Sequence, residues 1–182
     1  MDDGNKPPGE HKQMKKLICR DTIHKRVQEL GAEITSFYKE RPFTCLIILK
    51  GSTVFAADLI RAIASENMDI DFIRLSSYCG THSTGKVEML LGELEKFRER
   101  ELLVVEDIVD TGTTLSFFLD KLKAVSPASV KICSLLEKKE INKGRVKVDF
   151  LGFDIENEFV IGYGLDMNEK FRNLPDIMVY EG

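Results

Sequence analysis

Residues 44–49 read TCLIIL, an apolar run without inside–outside alternation. A strand with one solvated face alternates polar and apolar residues; a continuous run implies burial on both faces, as inside a parallel sheet. Residues 102–105 (LLVV) and 130–136 (VKICSLL) are further runs of this kind. Helical patterns lie between and before them. Ile23, Val27, Leu30, Ile34 and Phe37 recur at helical spacing from Asp21, until Arg41-Pro42 stops the helix. Residues 54–64 fit a helix packed on a sheet, and Leu115, Phe118, Leu119, Leu122 and Val125 mark another. Residues 70–75 alternate like a strand, and shorter strands are expected at 88–91 and near Phe150 and Phe159. Strand–helix–strand repetition predicts an α/β fold, a parallel twisted sheet flanked by helices.

The 182 residues, 43% of them hydrophobic, suit a single domain over residues 17–182. Residues 1–16 are polar, carry Pro7 and Pro8, and are expected to be a disordered tail. The net charge of −4 offers no basic excess to attract nucleic acid, and the cluster KQMKK at 12–16 is short. No run suggests membrane insertion, and MDDG is acidic where a signal peptide is basic, so a cytoplasmic protein is expected. Cys19, Cys45, Cys79 and Cys133 are too far apart for a zinc pattern, and a disulfide framework does not suit a chain of this size and compartment. Cys45 and Cys133 fall in apolar runs and read as core. His11, His24 and His82 are scattered and read as surface residues.

In parallel sheets ligands bind beyond the carboxyl ends of the strands. That places the chemistry at Lys50-Gly51, at residues 106–114 and near Lys138. Two stretches compete as phosphate sites. GTHSTGK at 80–86 matches G-x-x-x-x-G-K, but the next position, where the P-loop needs a Mg²⁺-ligating hydroxyl, is Val87. The acidic end of the next apolar strand also follows too soon for a helix and a crossover. These residues read as a polar loop.

The stronger stretch is ELLVVEDIVDTGTT at 101–114. A buried strand ends in Glu106, Asp107 and Asp110, then a glycine turn opens a helix. Free amides and the positive end of a helix dipole favour an anion there. Thr111, Thr113 and Thr114 add hydroxyl donors, and Gly112 permits a close backbone approach. Three carboxylates in five residues exceed what helix capping needs.

VVEDIVDTGTTL closely resembles the phosphoribosyl pyrophosphate (PRPP) signature of the type I phosphoribosyltransferases. LKGS at 49–52, SSY at 76–78 followed by STG at 83–85, LLEK at 135–138 and FVIGYGLDMNEKFRNLP at 159–175 match in order, and narrow the resemblance to the hypoxanthine-guanine phosphoribosyltransferases. The resemblance implies transfer of ribose 5-phosphate from PRPP to hypoxanthine or guanine, giving IMP or GMP and pyrophosphate. It also implies Mg²⁺ as cofactor, a small hood built from N- and C-terminal segments, and a homodimer or homotetramer.

Carried onto this chain, the resemblance assigns Glu106 and Asp107 to the ribose hydroxyls, where ionised carboxylates are acceptors for a diol, directly or through Mg²⁺. Residues 110–114 (Asp110, Thr111, Gly112, Thr113, Thr114) take the 5′-phosphate, and Lys50, Gly51 and Arg172 the pyrophosphate. A cis peptide is implied just before Lys50. Asp110 is the general acid–base at purine N7, and the carboxylates stabilise an oxocarbenium-like transition state. Lys138 donates to the purine O6, which disfavours a 6-amino group; the residues alone leave Lys139 open, and the LLEK register favours Lys138. Phe159 stacks on the base or belongs to the core, Val160 offers backbone groups, and Asp166 holds Mg²⁺. Ser77 and Tyr78 begin a loop that closes over the site.

Met167, Asp176 and Ser76 depart from residues common in the family, and are expected to touch base preference or subunit contacts rather than chemistry. Two other readings compete. A P-loop hydrolase requires Lys86 to matter more than Asp110. A non-catalytic nucleotide sensor that binds RNA requires a basic face.

Overall fold

The computed structural model describes residues 13–77, 87–91 and 93–181. The main sheet contains β2 (Phe43–Leu49), β3 (Met68–Ser77), β4 (Val87–Leu91), β5 (Glu101–Val109), β6 (Ser129–Glu137) and β7 (Phe150–Asp154), in the spatial order β4-β3-β2-β5-β6-β7. The pairs from β3 to β7 are parallel; β4 adds an antiparallel edge. The helices are α1 (Arg20–Tyr38), α2 (Thr53–Ala62), α3 (Thr113–Ala124) and the single turn α4 (Lys139–Asn142).

The continuous apolar runs are explained by two cores. Cys45, Ile47, Leu103, Val105, Cys133 and Leu135 point to one face, where they meet α1 and α2. Leu46, Ile48, Leu102, Val104 and Ile132 point to the other, against Leu115, Phe118 and Leu122 of α3. Side chains alternate between faces along a strand, so a strand covered on both sides shows no alternation. Cys45 and Cys133 are core residues, as expected, and burial pushes the Cys45 thiol up to about 12.

Two expectations are corrected. The apolar stripe of α1 ends on Tyr38, stacked on Phe43 at 3.8 Å, while Phe37 is exposed. Residues 13–16, expected to belong to a disordered tail, lie in a strand, β1 (Gln13–Ile18).

β1 pairs antiparallel with β9 (Ile177–Glu181), and β9 pairs with β8 (Val160–Ile161). This second sheet is the hood, built from the N- and C-terminal segments. Asp176 ties it to α1: its carboxylate accepts from the Arg20 amide at 2.8 Å and pairs with Lys16 at 2.7 Å. Asp176 is thus engaged in holding the hood. No helix among the described residues is long and apolar enough to cross a membrane.

Candidate active site

β2, β5 and β6 lie side by side and parallel, so their carboxyl ends emerge together. They deliver Lys50-Gly51, residues 106–114 and Lys138 to one edge of the sheet. β8 of the hood sets Phe159 and Val160 on the far side. A cleft of about 200 Å³ results, lined by Asp107, Ile108, Asp110, Lys138, Glu158, Phe159, Val160, Leu165 and Asp166. Six of these were expected; Ile108, Glu158 and Leu165 were not. A larger cleft of about 540 Å³ runs beside α3 and β6, but its one carboxylate, Asp149, is paired with Lys131 at 2.8 Å. None of the expected site residues faces it.

The two lysines differ in burial. Lys138 is 7% exposed and its Nζ lies 3.2 Å from Asp110 Oδ2. Lys139 is outside, paired with Asp154 at 3.2 Å. Phe159 is 53% exposed, so it is a wall of the cleft and not a core residue. Val160 is buried in the hood sheet opposite Val179.

Asp107 reaches the cleft, whereas Glu106 sits beside it, half-buried, and is not a lining residue. Glu106 Oε1 accepts from the Asp107 amide at 3.2 Å. Burial first, and then the neighbouring Asp107 carboxylate, push the Glu106 carboxyl well above the usual carboxylate range.

The peptide between Leu49 and Lys50 is cis. Asp107 packs onto the next residue: a Cβ on Gly51 would lie 1.8 Å from Asp107 Oδ2, so a side chain there would have to displace the carboxylate. Lys50 Nζ is engaged by Glu169 Oε1 at 2.9 Å. Arg172 donates to the Gly164 carbonyl at 2.8 Å and pairs with Asp166 Oδ1 at 2.8 Å and Glu169 Oε2 at 3.2 Å. The second Asp166 oxygen accepts from the Glu169 amide at 2.8 Å.

The glycine turn after β5 opens a helix, as expected. Gly112, at φ 69°, is the N-cap of α3 and contributes no side chain to its free amides. Thr111 Oγ1 lies 3.1 Å from Thr113 Oγ1 and accepts from the Thr113 amide at 3.3 Å. Arg145, absent from every motif, donates to the Thr111 carbonyl at 2.8 Å and to Thr113 Oγ1. It brings a guanidinium to the cradle from the turn after α4.

No three potential metal ligands cluster among the described residues. Mg²⁺ does not need such a cage: it keeps several waters and takes one or two carboxylates plus substrate phosphates. Asp107 and Asp166 share the cleft and fit that pattern. Ser77 closes β3, while Tyr78, the loop at 80–85 and Lys86 lie outside the described residues.

A family model, "Phosphoribosyl transferase domain", matches residues 19–168. The chain is 42% identical over 169 residues to a hypoxanthine-guanine phosphoribosyltransferase of Staphylococcus epidermidis, covering 92% of this chain and 94% of the relative. It is 40% identical over 162 residues to a hypoxanthine-guanine-xanthine phosphoribosyltransferase of Tritrichomonas foetus, covering 88% of each. The crystal structure of a hypoxanthine phosphoribosyltransferase from Staphylococcus aureus superposes with a TM-score of 0.85 at 38% identity, covering 91% of this chain and 90% of that one.

Proposed function

The chain belongs to the phosphoribosyltransferase family, and on that premise we propose that it is an enzyme of purine salvage, acting from Gln13 on as one domain. It transfers the 5-phosphoribosyl group of PRPP to hypoxanthine or guanine, yielding IMP or GMP. The observation that carries this reading is the convergence of Asp107, Asp110, Lys138, Phe159, Val160 and Asp166 on one cleft.

The division of labour follows from charge. The amides at the start of α3, with the Thr111, Thr113 and Thr114 hydroxyls, bind the 5′-phosphate, and Arg145 braces their loop. Lys50, the Gly51 backbone and Arg172 bind pyrophosphate. Asp107, with Glu106 behind it, holds the ribose hydroxyls. Phe159 stacks on the base and Val160 offers it backbone groups. Lys138 has donors only, so it suits O6 and disfavours a 6-amino group. The sugar–pyrophosphate bond breaks as the sugar–N9 bond forms, and Asp110 accepts the N7 proton. The carboxylates stabilise positive charge developing on the ribose. Asp107 and Asp166 are the residues that would hold Mg²⁺, which when bound neutralises the pyrophosphate oxygens. The lid role of Ser77 and Tyr78, and assembly as a homodimer or homotetramer, rest on the family resemblance.

The test is incubation with PRPP and Mg²⁺ and, separately, hypoxanthine, guanine, xanthine and adenine. IMP and GMP are the expected products. No nucleotide with any base overturns the enzyme, and AMP as the main product overturns the role of Lys138.

A further inference from the structure

We infer that Glu169 is a built-in stand-in for pyrophosphate: its carboxylate occupies Lys50 and Arg172 in the resting protein and has to be displaced when PRPP binds. The inference rests on the proposed function, since that reading makes these two cations the pyrophosphate site. One oxygen of Glu169 lies 2.9 Å from Lys50 Nζ, and the other 3.2 Å from Arg172 Nη2. A single anion thus spans a cation at the end of β2 and a cation from the segment between β8 and β9. An oxyanion with oxygens on both sides is also what a pyrophosphate offers them.

The arrangement is aimed. Asn168 and Glu169 both have left-handed backbone, at φ 52° and 63°, and the Glu169 amide is fixed on Asp166. The side chain is nonetheless 64% exposed, so nothing else holds it once a stronger anion arrives. Lys50 has spare protons, but a carboxylate left in place would sit beside a polyanion and repel it. Exposed ion pairs are weak, about 0–1 kcal/mol each. Two of them amount to a handicap on pyrophosphate of at most about thirtyfold, small enough for PRPP to overcome. The same handicap acts on the product side, where Glu169 refills the site and hastens pyrophosphate release.

The experiment is calorimetric titration of wild type and Glu169→Gln with magnesium pyrophosphate, alongside steady-state assays of IMP formation. Glu169→Gln is expected to bind pyrophosphate about 3–10-fold more tightly and to show a lower KM for PRPP, with the KM for hypoxanthine unchanged. In a Lys50→Gln background the gain should shrink, because half of the bridge is already gone; a gain of equal size there means a diffuse field effect and overturns the bridge. Unchanged or weaker pyrophosphate binding in Glu169→Gln also overturns it. Failure of the wild type to form a nucleotide with any base is a different result, and it strikes the proposed function instead.

Discussion

Lys138 Nζ lies 3.2 Å from Asp110 Oδ2, so the group we assign to the purine O6 and the group we assign to N7 hold each other before a base arrives. O6 and N7 are neighbours on one edge of the purine. A base bound in this cleft would then accept from Lys138 at O6 and donate from N7 to Asp110, exchanging one contact between the two residues for two of its own. The pair also answers a cost of burial: Lys138 is 7% exposed, and its charge would otherwise face the cleft with only Asn157, at 3.5 Å, as a further acceptor.

Lys138→Gln is expected to lower kcat/KM for hypoxanthine and guanine by about 10–10²-fold, since a hydrogen bond from a charged donor contributes about 1.5–3 kcal/mol. The KM for PRPP should hardly move. A glutamine amide accepts as well as donates, so discrimination against adenine should narrow. Steady-state kinetics with each base reads both effects.

Asp110→Asn should reduce kcat by about 10²–10⁴-fold, the usual contribution of a general base. PRPP affinity, measured separately by titration, should stay within a few-fold. Asp110 is half exposed at the cleft mouth, and an asparagine keeps its shape and an oxygen that accepts from Lys138, so the fold should survive the change. A collapse of PRPP binding would move Asp110 from the base to the phosphate.

Arg145→Met removes the guanidinium that holds the Thr111 carbonyl and Thr113 Oγ1. The KM for PRPP is expected to rise by roughly tenfold, the equivalent of one charge-assisted hydrogen bond, and the KM for hypoxanthine to stay level. An equal rise for both substrates would point to a general loosening of the fold.

Asp176→Asn should lower the melting temperature at neutral pH. The hydrogen bond and ion pair with Lys16, then the Arg20 amide, hold the Asp176 carboxyl below its ordinary value of 3.8. A depressed carboxylate stabilises the fold above its unfolded pKa, and that contribution is lost as pH falls through the folded value. Wild type and variant should therefore converge in acid. Lys16 is raised above its ordinary 10.5 by the same contact, so the difference should also shrink in strong alkali, as pH passes its folded value. Thermal melts across the pH range check both ends.

The main sheet was legible because its signal is local: TCLIIL and LLVV report burial on both faces within a few residues. The cradle was legible for the same reason, since strand, turn and helix start are contiguous. What was hidden depends on separation in the chain. Arg145 meets Thr111 from 34 residues away, and Glu169 meets Lys50 from 119. No periodicity records such meetings. Lys138 and Lys139 are chemically equal in the sequence, and only the turn into α4 sends one inward. β8 has two residues, too few for any alternation, and β1 lay within a polar segment whose strand becomes apparent only beside β9.

The hood draws Gln13 to Glu181 and Met14 to Tyr180, partners separated by almost the whole chain. Closing so long a loop costs more configurational entropy than pairing β2, β3 and β5, and contacts of this kind form late in folding. Phe159 and Val160 ride on that sheet. The wall that faces the purine thus belongs to the last part of the molecule to assemble and the readiest to open, and its amides should exchange with solvent before those of β2, β5 and β6. The turn at 110–114, set on the main sheet, should then keep its amides protected longer than those beside Phe159.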